Sequence, residues 1–139
     1  MARHCGLWLL LVLLTACARQ PVLPADVLQQ HWHWPLPQQL WLQVQQPQQP
    51  ALDYLLVLQD EQGVLRASLF DPAGMPVARK QLRNGGWRNE GLLPPHAAAE
   101  AWLTAIVRSL TDDRPLAGEN IELELPDSSR LQVRQLESP

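Results

Sequence analysis

The sequence predicts an α+β domain in which a mainly antiparallel sheet curls around one long amphipathic helix packed on its concave face. Short segments of alternating apolar and polar residues recur after residue 38, with turn-forming residues between them. One alanine-rich segment near residue 100 instead repeats its apolar residues every three to four positions, as a helix does. A sheet that is solvated on one face needs such a helix to cover the other.

The predicted strands form a meander followed by a separate hairpin. The turns at 60–63, 71–74 and 84–86 consist largely of Asp, Asn, Pro and Gly, which favour turn geometry. The meander strands are predicted at 40–45, 51–59, 64–70 and 77–83, and the hairpin strands at 121–125 and 131–134. Alternation within these segments gives each strand one apolar face.

The helix is predicted from His96 to Leu110, directly after Pro94-Pro95. Its alanines favour helical backbone. Trp102, Leu103, Ile106 and Leu110 recur on one face. We therefore expect this face to pack against the concave side of the sheet.

The N-terminus carries the features of a secretory signal. Arg3 and His4 precede an apolar run of eight residues, Leu7 to Leu14, which is much shorter than the roughly 20 residues that span a bilayer. Leu14-Thr15-Ala16-Cys17 resembles the lipobox of bacterial lipoproteins. The resemblance implies that Cys17 becomes the acylated first residue of the mature chain. Ala18 follows in place of Asp, which in such lipoproteins implies the periplasmic face of the outer membrane.

These features divide the chain into a signal peptide at 1–16, a lipidated tether rich in Pro and Gln at 17–37, and one domain at 38–139. The second cysteine, Cys5, lies in the signal peptide, so no disulfide is expected in the mature chain. Losing the signal peptide removes one of 11 basic residues and none of the 14 acidic ones, which gives a formal charge of −4. Such a charge does not indicate nucleic-acid binding.

The segment YLLVLQDEQGVLRASLFDPAGMPVARKQL, within a likeness that spans roughly Leu40 to Leu110, resembles an uncharacterised family of short bacterial outer-membrane lipoproteins. The fold of that family is similar to the lipoprotein receptor LolB, which is an unclosed antiparallel half-barrel with helices over its mouth. The resemblance implies a monomer that binds or transfers a lipidated or polyene cargo received from a carrier. The residues expected to line its hydrophobic cavity are Trp41, Tyr54, Leu56, Leu58, Phe70, Trp102, Ile106 and Leu110.

The turn Asp71-Pro72-Ala73-Gly74 resembles the receptor's Asn-Pro-Leu-Gly turn, in which a leucine projects into solvent and is needed to insert incoming lipoproteins into the membrane. Ala73 occupies the position of that leucine and offers less apolar area. Met75, which is apolar and flexible, is the substitute expected to contact the membrane. The alternative is an ordinary type I hairpin turn.

No catalytic residue, metal or cofactor is predicted. The chain contains no GxSxG, HExxH, P-loop or CxxC motif. His31 and His33 alternate in a way that could present two imidazoles on one side, with Asp26 or His96 completing a metal site. The tryptophans among them favour packing on the domain or at a membrane interface instead. The alternative functions are a structural or interaction lipoprotein with a closed core and, third, a periplasmic hydrolase.

Overall fold

In the part of the chain that the structure describes, the regular structure consists of one antiparallel sheet of seven strands, one long helix and a 3₁₀ turn at Val27–Gln29. This structure is a computed structural model, and it describes residues 21–114, 116 and 118–137. None of the helices in those residues is long and apolar enough to cross a membrane. The elements are β1 Gln38–Gln45, β2 Leu52–Glu61, β3 Val64–Phe70, β4 Pro76–Arg83, β5 Gly86–Asn89, α1 Ala97–Thr111, β6 Asn120–Glu124 and β7 Arg130–Gln135.

The strand order is β5-β4-β3-β2-β1-β7-β6. Strands β1 to β5 are joined in sequence as antiparallel neighbours, and the β6–β7 hairpin returns after α1 to pair β7 with β1. Strands β5 and β6 are the two edges, so the curled sheet stays open. The predicted α+β class with an open antiparallel sheet is confirmed.

The predicted helix and strands are confirmed to within two or three residues at their ends. His96 is the N-cap rather than the first helical residue, because its Nδ1 accepts a hydrogen bond from the backbone N–H of Ala99 at 3.1 Å. Strand β5 was not predicted. It has only four residues, of which Trp87 alone is a large apolar residue, and it follows directly on the Asn84-Gly85 turn.

The concave face of the sheet and the inner face of α1 form one core. Cross-strand register aligns Leu40 with Leu56, Leu56 with Leu69, and Leu69 with Ala78, so one apolar row runs across four strands. The residues that α1 buries in this core are Ala99, Trp102, Leu103, Ile106, Val107 and Leu110. The helix therefore fills the concave side of the sheet.

Residues 21–37, expected to be a tether, are packed against the domain. Leu23, Val27, Trp32 and Trp34 are buried in the same core. The backbone is also fixed, since the N–H of Leu23 donates to the carbonyl oxygen of Gly85 at 3.0 Å. The domain therefore begins before residue 38, the boundary that the proline and glutamine content had suggested. The apolar residues spaced among the prolines and glutamines supply enough buried area to order the segment.

Substitution of Gly85 is expected to show how closely this segment approaches the sheet. A Cβ at Gly85 would lie 2.1 Å from the carbonyl oxygen of Leu23, whereas a Cβ at Gly63 would meet nothing within 4 Å. Both glycines have positive φ, +76° and +79°, so both alanine variants share the backbone cost. We expect Gly85→Ala to lower the free energy of unfolding by about 1–3 kcal/mol more than Gly63→Ala, as measured by urea denaturation. Equal losses would contradict the close approach.

The strands give the domain two distinct ends. The proximal end carries the 62–63 and 84–85 turns and the last turn of α1. Residues 21–37, the incoming segment, reach the domain at this end through Val22. The distal end carries the 71–75 and 125–129 turns. Strand β3 connects the two ends with seven residues, which span about 20 Å at 3.3 Å per residue.

Candidate ligand groove

Six of the eight predicted cavity residues lie on the concave side, where they form solid core. Leu56, Leu58, Ile106 and Leu110 have 0% of their surface exposed. Trp102 is buried beside the half-buried Tyr54, with ring centroids 5.7 Å apart. The five fully buried side chains have almost no access to solvent in this conformation, and Tyr54 packs against the core with part of its surface exposed.

Trp41 and Phe70 lie on the opposite, outer face of the sheet, which corrects their predicted placement. Each is paired with Leu55, whose neighbour Leu56 points to the core. Because side chains alternate along a strand, residues paired with Leu55 cannot share the face of Leu56. Trp41 instead stacks under the guanidinium of Arg134, which lies 5.0 Å from its ring centroid.

The turn predicted to touch a membrane lies at the distal end. The Asp71 carboxylate accepts hydrogen bonds from the backbone N–H groups of Ala73, at 3.0 Å, and Met75, at 2.9 Å. Ala73 is exposed, and Met75 exposes 63% of its surface. The predicted lipidation residue, Cys17, lies outside the described residues.

An open groove of about 500 Å³ runs along the solvent side of α1, and sequence reasoning missed it. This volume is within the range of about 300–1,000 Å³ that small-molecule pockets occupy. One wall comes from the incoming segment and β5, and the other from the residues that follow β6. The lining residues are Val22, Gly86, Trp87, Ala97, Glu100, Ala101, Thr104, Ala105, Arg108, Leu125 and Pro126.

The groove exists because two sequence features coincide. Ala97, Ala101 and Ala105 recur every four residues and form one stripe on α1, where their methyl groups leave space above the helix. The two walls come from the open edges of the sheet, β5 and the end of β6, which do not pair with each other. The alanine repeat is visible in the sequence, but the walls depend on the strand order.

A second stripe of polar residues runs beside the alanines. Glu100 Oε1 accepts a hydrogen bond from Lys80 Nζ at 2.9 Å, and Thr104 Oγ1 accepts one from Trp87 Nε1 at 3.0 Å. Arg108 Nη2 donates to the carbonyl oxygen of Val22 at 2.6 Å. These contacts join the helix to β4, β5 and the incoming segment, and they fix the polar side of the groove.

Lys80 is the charged residue that sequence reasoning overlooked. Its side chain is 1% exposed and lies on the core face of β4, whereas the side chain of its partner Glu100 is 32% exposed at the groove. The alternation of Ala78, Lys80 and Leu82 in β4 is the pattern that could have indicated a buried lysine.

Two ionisable groups with shifted pKa values, the Tyr54 hydroxyl and the Asp127 carboxyl, lie near the distal end, away from the polar stripe. Burial, reinforced by the negative charge of Asp71, raises the pKa of the Tyr54 hydroxyl. Hydrogen bonding from the backbone N–H of Ser129 lowers the pKa of the Asp127 carboxyl. Both groups support local packing or turn structure.

The histidines considered as metal ligands do not form a cluster. The rings of His31 and His33 lie 5.6 Å apart, edge to face, and His33 Nε2 lies 2.5 Å from the carbonyl oxygen of Asp112. Across residues 21–114, 116 and 118–137, no group of three or more His, Cys, Asp or Glu side chains is placed to hold a metal ion.

Comparison with protein-family models, curated proteins and solved structures finds no match to the chain.

Proposed function

We propose that this protein is a non-catalytic lipoprotein, anchored to the periplasmic face of the outer membrane through Cys17, that binds a hydrophobic cargo and transfers it in the manner of LolB. The observation that supports this proposal is the groove along α1. Its walls are formed by Val22, Trp87, Leu125 and Pro126, and its floor by small side chains. The cargo site is thus the outside of the helix rather than the filled concave face.

The chemistry of the groove suits an acyl or similar chain. Apolar walls bind hydrocarbon by removing it from water, at roughly 0.8 kcal/mol for each buried methylene group, and need no directional contact. The groove is open along its length, which allows a chain to enter and leave without unfolding the core. Both properties are what a transfer protein requires.

The position of Val22 supports a membrane-facing role. Val22 is 41% exposed at one wall of the groove and is five residues downstream of Cys17. Five extended residues span at most about 18 Å. An acyl anchor on Cys17 would therefore hold the proximal mouth of the groove close to the bilayer.

Native mass spectrometry of the full chain with Cys17→Ser, purified from bacterial cells, tests the proposal. We expect a co-purifying apolar species, or uptake of added palmitate. Ala101→Trp should abolish it, because the indole would fill the groove floor. Ala51→Trp is the matched control, because Ala51 is exposed in a loop outside the groove. An empty protein that takes up no palmitate, or equal binding by both variants, would overturn the proposal.

The second candidate function is a structural or interaction lipoprotein with a closed core. The full burial of Leu56, Ile106 and Leu110 favours it, because the concave face then contributes only to stability. The same experiment separates the two functions. Absence of any bound or added apolar molecule would leave the closed-core interpretation.

A further inference from the structure

We propose that the cargo is a fatty acid, with one unbranched acyl chain lying along the alanine stripe and its carboxylate bound by Arg108. This inference deepens the proposed function and rests on it. The alanine stripe consists of Ala97, Ala101 and Ala105. The juxtaposition that carries the inference is an exposed arginine, Arg108, at the proximal end of an apolar groove whose other charged lining residue, Glu100, is already paired with Lys80.

The polar stripe of α1 places one negative and one positive side chain at different points along the groove. Glu100, Thr104 and Arg108 are spaced by four residues, which places Glu100 and Arg108 about 12 Å apart along the helix axis. The charge of Glu100 is paired with buried Lys80. Because Lys80 and Glu100 neutralise each other, an anionic headgroup gains little there and is attracted near Arg108 instead.

Arg108 has donors to spare for a carboxylate. A guanidinium carries five N–H donors in a planar fork, and the contact with the Val22 carbonyl oxygen uses Nη2. That contact also fixes the side chain at the proximal end of the groove, and Arg108 as a residue is exposed. The negative pole of α1 is equivalent to about half a charge, which the full charge of Arg108 outweighs.

The shape of the groove favours a single chain. The apolar part of the floor is the single alanine stripe, and the volume of about 500 Å³ lies in the lower half of the usual range for ligand pockets. From Ala97 to Arg108 the helix rises about 16 Å at 1.5 Å per residue, so an extended acyl chain has a continuous apolar path. The tail would point towards Leu125 and Pro126 at the distal end.

Binding of laurate and of dodecanol to the full chain with Cys17→Ser tests the inference, because the two probes differ in headgroup and share the same chain. We expect laurate to bind about fivefold more tightly, the upper limit for an exposed ion pair. Arg108→Gln should remove this preference and leave dodecanol binding unchanged. Arg88→Gln is the charge-matched control, because Arg88 is exposed on β5 outside the groove.

The outcomes distinguish the two proposals. If Ala101→Trp abolishes binding of both probes but Arg108→Gln leaves the laurate preference intact, the fatty-acid inference is overturned and the groove remains. If neither probe binds, or if Ala101→Trp has no effect on either, the proposed function fails and the inference fails with it. Circular dichroism of each variant checks that the fold is retained.

Discussion

Replacing Trp32 with alanine should destabilise the domain by about 3–5 kcal/mol, the usual cost of truncating a buried aromatic side chain. Trp32 is only 8% exposed, and its Nε1 donates a hydrogen bond to the carbonyl oxygen of Val27 at 3.0 Å. The substitution removes the packed indole and its hydrogen bond, so that the Val27 carbonyl oxygen keeps only the longer contact from the backbone N–H of Gln30 at 3.3 Å. Urea denaturation of the full chain with Cys17→Ser, followed by circular dichroism, measures the loss.

Trp41→Ala provides the matched comparison. Trp41 is half-buried on the outer face of the sheet, where it stacks against Arg134. We expect a cost well below that of Trp32→Ala, because part of the Trp41 ring already contacts water. If Trp32→Ala cost no more than Trp41→Ala, the segment 21–37 would behave as the tether that its composition suggested.

Replacing Glu100 with alanine should destabilise the domain by about 3 kcal/mol, because it leaves the buried ammonium of Lys80 without a counter-charge. This figure is the lower limit for breaking a buried ion pair, since the Glu100 side chain is 32% exposed and water screens part of the interaction. Lys80→Met should cost much less, because it replaces the charge with an apolar side chain of similar length. Chemical denaturation measures both variants.

The double variant Lys80→Met/Glu100→Ala tests the pairing directly. We expect it to be about as stable as Lys80→Met alone, because no unpaired charge remains. Arg114→Ala is the control, since the Arg114–Asp112 pair is exposed and should contribute less than about 1 kcal/mol. Additive losses in the double variant would show that Lys80 does not depend on Glu100.

Much of the fold could be predicted from the sequence because its elements have strong local patterns. Alternation identified β2 and β3, and the helical repeat of Trp102 and Ile106 identified α1. The pairing of β7 with β1 could not be predicted in this way, because it joins residues that are about 90 positions apart and depends on the whole sheet. The open edges, and with them the walls of the groove, follow from that pairing.

The candidate site was harder to predict than the fold. Apolar residues of three strands were assigned to a cavity because they are apolar, but the face of the sheet on which each lies depends on strict alternation along its strand. Trp41 and Phe70 were misplaced for this reason, since each directly follows a core leucine, Leu40 and Leu69. The groove itself is built from alanines and from segments distant in sequence, which carry no recognisable motif.

The two ends of the domain determine how far it would stand off a membrane. Pro21 lies at the proximal end, four residues after Cys17, and four residues of any chain span at most about 14 Å, whereas β3 alone separates the ends by about 20 Å. An upright domain anchored through Cys17 would therefore hold Met75 above the bilayer surface, directed into the periplasm. In that orientation the distal turn would be the part of the domain farthest from the bilayer, and the groove along α1 would run from that end back towards the lipid.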